Sequence, residues 1–219
     1  MKKNVYSLIL ADNIVKEIDR MAYANRTNRS NMINQILAEY CSCTTPEMRI
    51  RDIFGQIESL MDNERFQAIT APSDSIFTLR SALDYKYNPS IRYTIELYRN
   101  CENNIIGSMR VTFRTQNLQL IDELTSFFLL WDKIESDTVT NSQRRNALIE
   151  PGKYERKFLA PEMREDCAAQ EVADAIAAYL KYFDTALKSY FRDKAAGEEP
   201  DRHIREIYNQ YKQTRTPII

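Results

Sequence analysis

Val5-Tyr6-Ser7-Leu8-Ile9-Leu10-Ala11-Asp12-Asn13-Ile14-Val15 decides how the chain begins. Tyr6, Leu8 and Leu10 share one face and Val5, Ser7 and Ile9 the other, the two-residue period of a strand. Asp12 then stands where a side-chain oxygen can cap a helix, and Ile14, Val15, Ile18, Met21 and Ala22 recur at helical steps. Asn25-Arg26-Thr27-Asn28 interrupts that pattern. Asn25 tolerates the left-handed conformation, and Thr27 or Asn28 can cap a second helix with Met32, Ile33, Ile36, Leu37 and Tyr40 as its apolar stripe. The spacing predicts strand, helix, helix within residues 1–44.

A unit of this size cannot bury one strand face and two helix stripes alone, so a second copy is expected to complete the core. Tyr6, Leu8, Leu10, Ile18, Ile33, Ile36 and Leu37 are the expected dimer core. A lone strand also leaves its edge bonds unmade, and antiparallel pairing with its twin makes a ribbon that fits the major groove of DNA.

The run from Val5 to Asp12, the helix Ile14 to Ala22, and Thr27-Asn28-Arg29-Ser30-Asn31-Met32-Ile33 together resemble the ribbon-helix-helix superfamily of Arc, MetJ and CopG. The resemblance covers residues 3 to about 42. It implies that Val5, Ser7 and Ile9 face the bases while Asn28, Arg29 and Ser30, at the start of the second helix, hold a phosphate; Lys2 and Lys3, ahead of the strand, are expected as further phosphate contacts. Of the three outward residues only Ser7 can hydrogen-bond a base edge, whereas Val5 and Ile9 can touch thymine methyl groups.

The full chain has 219 residues, enough for a second unit over 45–219. Its 30 basic and 31 acidic residues nearly cancel, so contact with nucleic acid must come from a local patch. Cys41, Cys43, Cys101 and Cys167 are scattered and His203 is the lone histidine, too few ligands in the usual spacing for a metal site or a cofactor. No stretch has membrane-spanning length, which makes the cytoplasm the expected compartment.

In the second unit a helix is expected from Pro46 to about Ala68, marked by Ile50, Ile53, Phe54, Ile57, Leu60 and Met61. Three alternating runs follow: Phe77 to Tyr87, Ile91 to Leu97, and Met109 to Phe113. With turns at Asn88-Pro89 and Asn103-Asn104, they predict a three-stranded antiparallel meander whose polar face carries Arg80, Arg92, Arg110 and Arg114 with Asp84 and Glu96. Helices are expected over Leu118 to Ile134, Glu162 to Lys194 and Asp201 to Gln213. Ser136 to Pro161, with Arg144-Arg145 and Arg156-Lys157, reads as an irregular basic loop.

The expected fold is therefore α+β, a ribbon-helix-helix start followed by a mostly helical body with a meander. The expected function is a dimeric DNA-binding transcriptional regulator, a repressor-type protein whose body takes a protein partner or a small effector. The alternative is an interaction protein that keeps the amino-terminal unit only as a dimerisation clasp. Nothing in the motifs points to an enzyme: no glycine-rich phosphate loop and no nucleophile motif is present.

Overall fold

An aromatic-rich core holds the body together, and its placement follows from two alternating patterns meeting face to face. The computed structural model describes residues 5–25, 27–69, 74–86, 88–138, 147–160 and 168–214. Three helices come first: α1 (Asp12–Ala24), α2 (Arg29–Tyr40) and α3 (Pro46–Leu60). Then come β1 (Gln67–Ile69), β2 (Ile76–Ala82), β3 (Ser90–Glu102) and β4 (Ile105–Phe113), followed by α4 (Leu118–Thr138), β5 (Ala147–Glu150), β6 (Lys153–Leu159), α5 (Ala169–Ala196) and α6 (Asp201–Gln213). The strands form one antiparallel sheet in the order β1-β2-β3-β4-β6-β5. At the β3–β4 turn Asn103 and Asn104 both take positive φ (53° and 62°), as a tight hairpin of right-twisted strands requires.

One sheet face presents Leu79, Tyr93, Val111 and Tyr154 in register, all buried, and helices α4 and α5 cover them. Phe183 of α5 meets the rings of Tyr93, Tyr154, Phe127 and Trp131, which joins sheet and helices through edge-to-face and tilted contacts. Trp131 also meets Tyr208, which brings α6 onto the same core. Gly107 sits where a Cβ would come within 2.2 Å of the Glu96 carbonyl oxygen, so this irregular point of the β3–β4 ladder admits only glycine. The opposite sheet face is polar. Straight across it run Gln67, Arg80, Arg92, Thr112, Lys153 and Glu150.

Two parts of the expected fold are overturned. Residues 5–11 are extended chain in no strand, so the described chain starts with three helices and not with strand-helix-helix. The reason is physical: a strand is defined by bonds to a neighbour, and a single chain offers this segment none. The body, in turn, is built on a six-stranded sheet and not on a three-stranded meander. Strands β5 and β6 lie inside the stretch read as an irregular loop, and β1 lies where α3 was expected to continue. Smaller corrections concern the caps. Ala11, not Asp12, is the N-cap of α1, and Asn25 closes that helix at φ −91° with no left-handed turn.

Candidate nucleic-acid interface

The start of α2 is built as an anion-binding end is built. Asn28 caps it, its side-chain oxygen accepting a hydrogen bond from the Asn31 amide at 2.9 Å. Arg29 and Ser30 occupy the first turn, both exposed, where helix amides point outward and the dipole favours negative charge. The Arg29 guanidinium is already engaged. Its Nε donates to Asp19 Oδ1 at 2.7 Å and its Nη2 to Asp19 Oδ2 at 2.6 Å, a fork that ties α2 to α1.

That fork holds the Asp19 carboxyl below the usual carboxylate range, the Arg29 hydrogen bond being the main cause. A lowered folded-state value means that the tie is present above the ordinary value of 3.8 and is lost as pH falls through the lowered one. At neutral pH Asp19 therefore occupies the Arg29 guanidinium that an incoming anion would have to recruit. Asp19→Asn is expected to raise affinity for duplex DNA several-fold at low salt, read by fluorescence anisotropy, because it releases the fork and removes a negative charge. Unchanged affinity would show that Arg29 does not meet a phosphate.

The remaining expected residues are placed as follows. Val5 and Ile9 are fully exposed (99% and 103%) and Ser7 is exposed, but so are Tyr6 and Leu8 (79% and 60%), because a single chain gives the segment no inner face. Ile18, Ala22 and Met32 form a small cluster of their own, with Ile33 and Ile36 half-buried beside it. Leu37 stays half-exposed. Lys2 and Lys3 lie outside the described residues, as do Arg144-Arg145. Tyr23 and Tyr40, not expected as exposed, add aromatic surface to the same helix pair.

In the body, the charges that sequence reading placed in solvent include some that are buried. Arg156, read as part of a basic loop, points into the core from β6, where its Nε donates to Glu135 Oε2 at 3.2 Å. Tyr154 and Tyr179 donate to the same carboxylate oxygen, at 3.2 and 3.3 Å, and the Arg156 guanidinium lies 4.5 Å from the Tyr179 ring centre. Burial pushes the Glu135 carboxyl up against the pull of Arg156. Asp184, fully buried on α5, accepts from Tyr93 Oη at 2.8 Å and Arg65 Nε at 2.7 Å and pairs with Lys188 Nζ at 2.9 Å. Asp193, Glu198 and His203 bring three potential ligand atoms within 4.8 Å of one another at the α5–α6 junction. His203 Nδ1 lies 3.0 Å from the buried Asp193 carboxylate, which makes the group a clasp between the two helices. A lone histidine in sequence carried no signal of it.

Neither the known protein families, nor the curated proteins, nor the solved structures contain a match to this chain. Among the described residues no helix is long and apolar enough to cross a membrane.

Proposed function

We propose that this protein is a DNA-binding transcriptional regulator that acts as a homodimer, the extended segments of two copies pairing and entering the major groove. The observation that carries the reading is the unfinished amino-terminal surface: an apolar extended segment in full solvent, ahead of a helix pair whose buried apolar cluster is Ile18, Ala22 and Met32. Exposed apolar area of this density marks an association surface. In a dimer Tyr6, Leu8 and Leu10 turn onto Ile18, Ile33, Ile36 and Leu37 of the joined helix pairs, and Val5, Ser7 and Ile9 are left to the groove. Burying Tyr6, Leu8 and Leu10 of both copies contributes on the order of 10 kcal/mol at roughly 1.5–3 kcal/mol per side chain. That is comparable with the association cost of about 4–15 kcal/mol.

Sedimentation equilibrium together with anisotropy on labelled duplexes at two salt concentrations tests the proposal. The expected result is a dimer that binds duplex DNA and loses most of that binding in the Arg29→Ala, Ser30→Ala double variant while its mass is unchanged. A dimer that ignores DNA at low salt would move the assignment to the clasp reading. Two features favour that second reading: the apolar character of Val5 and Ile9, and the engagement of Arg29 by Asp19.

A further inference from the structure

The polar face of the sheet is not charge-paired throughout. Arg80 and Arg92 stand directly opposite each other on β2 and β3, an arrangement in which like charges repel at neighbouring Cβ positions. Two other cations of this face have acidic partners: Arg110 donates to Glu155 at 3.0 Å, and Lys153 lies 3.2 Å from Glu150. Among the described residues neither Arg80 nor Arg92 has a hydrogen-bond or ion-pair partner, although both are exposed and Glu96 stands four residues from Arg92 on β3, opposite Ile76 of β2. Lys157 on β6 and Arg114 just past β4 are exposed on the same side of the body or at its rim, likewise without a partner. Around the pair lie hydroxyls that can donate to an oxyanion: Thr94 and Thr112, each facing across the β3–β4 ladder.

We infer that Arg80 and Arg92 form a second contact with nucleic acid, gripping a backbone phosphate of the duplex with their two guanidinium groups. The inference rests on the DNA-binding reading above and adds a surface to it. Strands in a sheet are about 4.8 Å apart, so two arginines on adjacent strands can close on one phosphate from both sides, and guanidinium forks match phosphate oxygens in pairs. The occupant is a phosphate backbone and not stacked bases, because among the described residues the face carries a single exposed ring, Tyr98, whose hydroxyl lies 3.5 Å from Ser108 Oγ. It is not a small ligand in a pocket, because a sheet face is broad and open where such sites are concave. The face thus supplies the local positive patch that a chain of net charge −1 must have to meet DNA.

The test is the salt dependence of duplex binding by the full chain and by its Arg80→Gln, Arg92→Gln and double variants. Each phosphate contact contributes roughly 0.9 to the slope of log affinity against log salt. The double variant is expected to flatten that slope by roughly 1 if one copy of the site engages and by roughly 2 if both copies of the dimer do. Dimer mass is expected to stay the same, and each single variant should keep or raise the melting temperature, since it removes a like-charge pair; weaker binding then has no folding explanation. A slope identical to that of the unchanged protein, in a chain that loses DNA on Arg29→Ala with Ser30→Ala, overturns the second contact and leaves the dimer reading standing. No binding by the unchanged protein overturns both. An acidic peptide such as polyglutamate bound through Arg80 and Arg92, with the DNA slope unaffected, would assign the face to a protein partner and overturn the inference.

Discussion

Arg156→Ala is expected to lower the free energy of unfolding by about 3–5 kcal/mol, the usual cost of breaking a buried ion pair from one side. The substitution strands the Glu135 carboxylate in a site it shares with Tyr154, Tyr179 and Trp131, all of them fully buried. It also removes the cation lying over the Tyr179 ring. Urea denaturation followed by circular dichroism reads the loss as a lower midpoint at constant slope. The pH dependence identifies the cause. Burial already raises the Glu135 carboxyl above its ordinary 4.5, and losing Arg156 raises it further. A group raised on folding contributes stability that is fully present below its unfolded value and is lost as pH rises through the folded one. The variant is therefore least impaired near pH 4.5 and most impaired at neutral pH. Glu135→Gln combined with Arg156→Met is expected to recover most of the loss, since it removes the buried charge while keeping an acceptor for the Tyr154 and Tyr179 hydroxyls. A double variant as unstable as the single one would show that the unpaired charge of Glu135 is not what destabilises Arg156→Ala.

The second large effect is expected from Asp184→Ala, about 3 kcal/mol by the same measurement. Asp184 joins three elements: Tyr93 from β3, Arg65 from the segment ahead of β1, and Lys188 one turn along α5. Its removal leaves the Tyr93 hydroxyl buried without its acceptor, which costs about 1–3 kcal/mol by itself. The two cations soften the remainder because their side chains keep 31% and 23% of their exposure and can regain water. Asp184→Asn, which keeps an acceptor for Tyr93, is expected to lose about half as much. Equal losses from Asn and Ala would place the whole effect in the charge.

The outcome at these two clusters explains which parts of the fold were legible. Helices α4, α5 and α6 could be read because Leu124, Phe128 and Trp131, or Ile176, Leu180, Phe183 and Leu187, repeat at helical spacing and are buried. Strand β6 could not be read, since its inward row is Tyr154, Arg156 and Phe158, and an arginine in the middle of an alternating pattern looks like solvent until Glu135 is seen opposite. Strands β1 and β5, with three and four residues, are too short for alternation to register. Residues 5–10 failed in the other direction: their alternation is clear, but strand formation depends on a partner that one chain lacks. In the candidate site the Asn28 cap was visible from its residue type, whereas the Arg29–Asp19 fork depends on the angle between two helices.

The same brevity of β1 and β5 has a consequence for how copies of the body meet. These two strands are the outer rails of the sheet, and rails of three and four residues give an incoming strand few bonds to template on. Growth of one body onto the next into a fibre is thereby starved at both ends. In the proposed dimer, self-association goes instead to the amino-terminal apolar surface, where a single twin would satisfy it.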